Sequence, residues 1–250
     1  MQSQDLGTTY QSLQTKIEHR AGNGLTGLVS YTWSKFLQFN QAPALGGNSG
    51  YERTYSPFDT PQNLAMSGTY ELPFGHGKTF LANSPHAVDT VLGGWRLQTI
   101  IVLRSGLPYT PVVGSDVANT GVGGQRPDNS VLSTPNFTRT LKAWFDKARY
   151  VPANQNPDGT ARLPTDQFRY GQVRANTLRS DMYRQYDASV FKNFALPRES
   201  ILSFRAEFFN LPNTNSFNAP GATITAATCC VVNSTSVPSR DIQFALKYNF

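Results

Sequence analysis

The sequence predicts an all-β protein: an antiparallel up-and-down meander that forms a transmembrane β-barrel segment, about seven strands of a larger barrel, with long extracellular loops. Strand-length runs of alternating apolar and polar residues recur along the chain, and the connections between them alternate between short and long. No apolar run approaches the roughly 18 residues that a membrane-spanning helix needs. Backbone polar groups in hydrocarbon must all be paired, so any span of this chain is built from strands.

Each run follows from the two-residue period of an extended chain, in which successive side chains point to opposite faces. Across residues 11–19, Leu13, Thr15 and Ile17 oppose Gln14, Lys16 and Glu18, and Ala21-Gly22-Asn23-Gly24 then supplies a tight turn. Across residues 25–36, Leu25, Val29, Tyr31 and Trp33 oppose Thr26, Ser30, Thr32 and Ser34. Residues 63–72 set Leu64, Met66, Tyr70 and Leu72 against Ala65, Ser67, Thr69 and Glu71. Residues 94–104 set Trp95, Leu97, Thr99, Ile101 and Leu103 against Arg96, Gln98 and Arg104, with Ile100 and Val102 blurring the alternation. Tyr186, Ala188 and Val190 oppose Asp187 and Ser189 in a fifth run that ends near Phe194. Leu202, Phe204, Ala206 and Phe208 oppose Ser203, Arg205 and Glu207 until Phe209 breaks the pattern. The last run alternates without interruption: Ile242, Phe244, Leu246, Tyr248 and Phe250 against Gln243, Ala245, Lys247 and Asn249.

If Phe250 lies on the periplasmic side, the long connections (37–61, 107–181 and 212–240) all fall outside. The short ones (21–24 and 195–199) fall inside, with 73–93 intermediate in length. This parity is the signature of outer-membrane barrels. Tyr31 and Trp33 toward one end, and Tyr70, Trp95, Tyr248 and Phe250 toward the other, make plausible interfacial girdles. The expected location is the outer membrane of a Gram-negative-type bacterium, with outer-membrane lipid as a partner. The alternative architecture compatible with strand alternation alone is a soluble or surface-exposed β-sandwich serving binding or adhesion.

Hydrophobic residues make up 39% of the 250 residues and aromatics 12%, with 20 Gly and 16 Pro, a mixture suited to many strands joined by turns and polar loops. The start, Met1-Gln2-Ser3-Gln4-Asp5, lacks the basic residues and apolar run of a secretory signal. Net charge is +6, but Lys and Arg are spread among 16 acids with no dense run, which argues against nucleic acid as a partner. The two cysteines, Cys229 and Cys230, are neighbours; they cannot staple distant segments, and a bond between them closes a strained ring.

No enzymatic chemistry is indicated, and no cofactor or metal is expected. Gly75-His76-Gly77-Lys78-Thr79 resembles the end of a phosphate loop, but Leu72 stands where the first glycine of that pattern belongs. Gly47-Asn48-Ser49-Gly50 does not fit a nucleophile elbow. Asp187, Glu207 and Asp241 are placed to face a lumen without forming an acid/base pair, and Gln243, Lys247 and Asn249 read as wall residues. In the long loop 112–181, Leu141, Trp144, Phe145 and Ala148 have helical spacing, which predicts a short amphipathic helix. The residues placed for ligand contact at the outer rim are Arg169, Arg174, Arg179 and Arg184, which would attract an anion, and Tyr170 and Tyr183, which would stack on a ligand.

Several stretches resemble the C-terminal barrel region of TonB-dependent outer-membrane receptors, in particular the Oar-like subgroup. They are Ser30-Tyr31-Thr32-Trp33-Ser34-Lys35, Gly68-Thr69-Tyr70-Glu71-Leu72-Pro73-Phe74-Gly75, and Gly93-Gly94-Trp95 followed by Ser105-Gly106-Leu107-Pro108-Tyr109-Thr110. They continue with Arg174-Ala175-Asn176-Thr177-Leu178-Arg179, Phe191-Lys192-Asn193-Phe194 and Arg205-Ala206-Glu207-Phe208-Phe209-Asn210-Leu211. The resemblance makes residues 1–250 the C-terminal portion of a barrel of about 22 strands, without the plug domain, the TonB-binding box or the signal peptide. It implies uptake of an unknown small ligand, with TonB engaged only through the missing N-terminal part. The terminal strand with Phe244, Leu246, Tyr248 and Phe250 resembles the C-terminal signature of outer-membrane proteins, which implies recognition by the barrel-assembly machinery.

Overall fold

The structure is a computed structural model that describes residues 7–20, 24–41 and 51–250. Every alternating run in the sequence forms a strand. They are β1 (Thr8–Arg20), β2 (Leu25–Gln41), β4 (Gln62–Glu71), β5 (Arg96–Arg104), β10 (Tyr183–Ala195), β11 (Ile201–Phe209) and β12 (Asp241–Asn249), and the short β3 (Tyr51–Tyr55) joins them. The Met1 start, most of the turn at residues 21–24 and Gly47-Asn48-Ser49-Gly50 lie outside the described residues.

The strands pair in the order β1-β2-β4-β5-β10-β11-β12, and β3 pairs with β2. All these pairings are antiparallel. The registers bring the apolar half of each alternation onto one continuous face. One row across the sheet reads Leu25, Tyr70, Leu97, Val190, Ala206, Phe244. The adjacent row, one residue further along each strand, points the other way and reads Arg20, Thr26, Thr69, Gln98, Ser189, Glu207, Gln243. A slip of one residue at any pairing would invert this sorting, so the pattern itself fixes the register.

The polar face carries its own charge ladder. Lys16 and Arg20 flank Glu18, Arg96 and Lys78 pair with Glu71, and Arg205 pairs with Glu207. Phe191 is accommodated on this face because the guanidiniums of Arg96 and Arg205 lie 5.9 and 6.0 Å from its ring centre. The apolar face stays open instead: Leu13, Ile17, Trp33, Phe244 and Leu246 are each more than half exposed. No second large sheet covers it among the described residues, which rules out the β-sandwich alternative. The ends of β1 and β12 do not meet, so the sheet is an open barrel segment. No helix of the described residues is long and apolar enough to cross a membrane.

At one end of the sheet the connections are the one from β1 to β2, the segment 72–95 and the turn 196–200. The segment 72–95 contains the helix α1 (His86–Leu92). At the other end lie the long connections, and there the chain builds a folded cap. Two small ladders, β6 (Pro108–Tyr109) with β9 (Leu178–Arg179) and β7 (Asp128–Asn129) with β8 (Tyr150–Val151), surround the buried cluster. Val113, Phe145, Tyr150, Ala153, Val173 and Ile224 form most of it. Backbones approach closely at Gly106 and Gly171, where a Cβ would sit 2.1 Å from the carbonyls of Ser180 and Arg126, so only glycine fits.

The helix predicted over Leu141, Trp144, Phe145 and Ala148 does not form. Trp144 donates its backbone N–H to the Cys230 carbonyl and the Leu141 carbonyl accepts from Val232, both at 2.8 Å. These cross-loop bonds occupy groups that a helix would pair internally. Trp144 and Phe145 are consecutive and both buried, Leu141 is exposed, and Ala148 lies in a single 3₁₀ turn capped by the Asp146 carboxylate. Cys229 and Cys230 are joined by a disulfide inside the cap core, within their own turn.

Candidate functional site

The cap at the outer end of the strands holds most of the side chains expected to meet a ligand. Its loops are far apart in sequence and are locked by carboxylates that sequence reasoning did not single out. Asp59 is fully buried, accepts the Phe36 backbone N–H at 2.6 Å and pairs with Arg179. Arg179 also donates to the Asp59 and Gly106 carbonyls at 3.1 Å, and its guanidinium lies 5.1 Å from the Tyr55 ring centre. Glu52 pairs with Arg126 and accepts from the Ala175 backbone N–H at 3.1 Å. Asp128 receives Arg162 at 3.4 Å, Arg169, and the Gln172 backbone N–H at 2.8 Å. Asp181 pairs with Arg184 at 3.1 Å, while Arg184 reaches the Asn215 carbonyl at 3.2 Å.

Of the residues expected to meet an anion, Arg169, Arg179 and Arg184 are therefore neutralised within the protein. Arg174 is exposed on the cap, and Tyr170 is half-buried beside Arg169, whose guanidinium donates to the Tyr170 carbonyl at 3.4 Å. Tyr183 points to the polar face of the sheet. Its hydroxyl donates to Gln185 Oε1 at 2.5 Å, and the Arg104 guanidinium lies 5.1 Å from its ring centre. These six do not form one constellation.

A different set lines the concave surface of the cap. One cavity of about 560 Å³ is lined by Phe137, Lys142, Phe145, Lys147, Tyr150 and the Cys229–Cys230 disulfide. A neighbouring one of about 500 Å³ shares Phe137, Phe145 and Tyr150 and adds Arg139, Trp144 and Arg149. The Arg139 guanidinium lies 4.7 Å from the Trp144 ring centre. Arg139, Lys142, Lys147 and Arg149 form no ion pair among the described residues. Burial pushes the Tyr150 phenol above its ordinary range, so it is protonated and can donate. Asp146, the acid nearest these cations, is spent on the Thr134 backbone N–H at 2.6 Å and the Ala148 N–H at 3.0 Å. Aromatic walls with an unmatched cationic rim suit an anionic ligand that has an apolar face. The only sequence signal for this set was the density of aromatic and basic residues between 137 and 150.

The strand β12, which carries the residues expected to form the terminal signal, is an edge strand among the described residues. Phe244, Leu246 and Tyr248 lie exposed on its apolar face, with Phe250 beyond its end stacked on Tyr248 at 5.9 Å. The Tyr248 hydroxyl donates to Ser200 Oγ at 3.1 Å.

Residues 1–243 match the family model described as "Outer membrane beta barrel domain". No curated protein and no solved structure matches the chain. An antiparallel sheet with one lipid-ready face, one polar face and the long loops at one end has the pattern of an outer-membrane barrel wall. The chain belongs to the outer membrane β-barrel domain family, and its place is the outer membrane of a Gram-negative bacterium.

Proposed function

We propose that this chain is the C-terminal part of the barrel of a TonB-dependent, Oar-like outer-membrane receptor that takes up a ligand across the outer membrane. The observation that carries the reading is the folded outer cap, whose aromatic cavities are rimmed by cations that form no ion pair among the described residues. A barrel wall that served only as a membrane anchor has no need of such a cap. In this reading the open edges β1 and β12 are completed by further strands, since unpaired strand edges in hydrocarbon cost several kcal/mol per group. The terminal strand addresses the barrel-assembly machinery, TonB acts through an N-terminal segment, and the chain performs no covalent chemistry.

The test is accumulation of labelled ligands (ferric siderophores, cobalamin, oligosaccharides and peptides) in cells with and without the gene, each with and without TonB. The expected result is one ligand class whose uptake requires both. If loss of the gene leaves every TonB-dependent uptake unchanged, the receptor assignment fails.

A further inference from the structure

A buried cation stands on the apolar face of the sheet near its short-turn end. Lys192 lies directly opposite Phe204 in the β10–β11 register, among residues that otherwise face lipid, and is only 4% exposed. An ammonium in that position needs partners. Its Nζ donates to the carbonyls of Val91 at 3.1 Å and Gly93 at 2.5 Å, at the C-terminal end of α1. The rings of Trp95 and Phe194 lie 5.5 and 4.9 Å from the same nitrogen. Trp95 in turn donates its Nε1–H to the Val91 carbonyl at 2.9 Å and meets Phe204 edge-on at 6.0 Å. These contacts hold the end of α1 against the lipid-facing side of the sheet, at the end that carries the short turns.

The same segment leaves its apolar residues uncovered: Phe74, Phe80, Leu81, Val88, Val91 and Leu92 are all exposed. The turn is tied to the helix, since the Asp89 carboxylate accepts the His76 backbone N–H at 2.5 Å. An apolar surface fixed by a buried lysine to the lipid-facing side continues the lipid interface of the barrel. We infer that α1 and the turn before it lie in the periplasmic leaflet at headgroup level, with phospholipid covering their apolar side. Lys192 and Trp95 are the anchor that holds them there. Lys192 places its charge where the hydrocarbon ends, and Trp95 is the amphipathic ring that such an interface favours.

The experiment is depth-dependent fluorescence quenching on the complete barrel that contains this chain, folded into phosphatidylcholine vesicles, with any tryptophan outside these 250 residues replaced by phenylalanine. Trp33→Phe with Trp144→Phe leaves Trp95 as the single reporter; Trp33→Phe with Trp95→Phe leaves Trp144 in the cap as the control. Lipid brominated near the headgroup is expected to quench Trp95 about twofold more than lipid brominated at the chain ends, with Trp144 unaffected by either. In the first background, Lys192→Met is expected to change the Trp95 depth profile without changing the far-ultraviolet circular dichroism. Quenching of Trp95 no greater than that of Trp144 would overturn the inference. So would cross-linking of a Val91→Cys variant to another protein chain in intact cells, because the apolar side would then belong to a protein partner.

Discussion

Replacing Asp59 by alanine should open the cap while leaving the sheet intact. The carboxylate is fully buried, and the Arg179 side chain it holds is 31% exposed. Removing one partner of a buried pair costs about 3–5 kcal/mol. Here Arg179 can recover some solvation, so the ion pair contributes nearer the lower end of that range. The change also strips the Phe36 N–H of its acceptor at 2.6 Å, a charge-assisted bond worth about 1.5–3 kcal/mol. The two losses overlap, and about 3 kcal/mol is a fair expectation for the opening of the contact between residues 56–60 and 178–180. In the regime where cleavage samples the opened state, that corresponds to proteolysis of the long loops faster by on the order of 10²-fold. The assay is limited proteolysis of protein folded in vesicles, with amide exchange at Phe36 as the local probe. Arg179→Ala should give a similar effect, and the double variant should show a coupling of about 2 kcal/mol. Wild-type protection in Asp59→Ala, or additive single effects, would refute the argument that this pair closes the cap.

Other consequences are equally direct. Val190→Arg, on the row between Leu97 and Ala206, should destabilise the folded protein in lipid by about 2–4 kcal/mol, whereas Ser189→Arg on the opposite face should be nearly neutral; urea unfolding in vesicles compares them. The Asp116 carboxyl is held below its usual range, chiefly by the Thr120 backbone N–H and also by Gly121 and Gln125. Such a group stabilises when ionised, so the turn 116–125 should keep its structure above the unfolded carboxylate pKa of about 3.9 and lose this contribution as pH falls through the lower folded value. The Gly121 amide resonance, bonded to Asp116 at 2.5 Å, reports it and should stay constant between about pH 5 and 8. Removing Phe250, or replacing Tyr248 by alanine, should lower the amount of assembled protein in the outer-membrane fraction if β12 is the assembly signal; unchanged amounts for both would dismiss that role.

The strands were legible because a two-residue period is written in local residue order. The turn parity followed from the spacing of those strands. What failed locally was the outer end of β2, which runs on to Gln41 and pairs with β3 through Leu37–Tyr55 and Phe39–Arg53. There the consecutive apolar residues Phe36 and Leu37 obscure the alternation. The arginine-rich rim was visible too, but its meaning was not. Arg179 meets Asp59 across 120 positions, and the Ala175 N–H meets Glu52 across 123. Nothing in the neighbourhood of an arginine announces a carboxylate that distant, so charges already matched looked available for a ligand. Lys192 misleads in the same way: it sits in an apolar position of an alternating strand, and only the fold brings the carbonyls of Val91 and Gly93 to it.

The two halves of the molecule are stabilised by different solvents. The buried apolar cluster of the described residues lies entirely within the cap, between Val113 and Cys230, while the apolar face of the sheet is covered by protein, among the described residues, chiefly where the end of α1 and Trp95 pack over Lys192 and Phe204. The cap therefore obeys the rules of a water-soluble domain, in which burial and matched ion pairs offset the entropy of ordering long loops. The sheet depends on lipid outside and on hydrogen-bonded strand neighbours along its edges. A ligand that binds the cap cavities stabilises the first system and leaves the second untouched. Its binding should appear as protection of the loops from protease, with no change in the urea midpoint for unfolding of the strands in vesicles. A ligand that shifted both together would show instead that cap and barrel unfold as one unit.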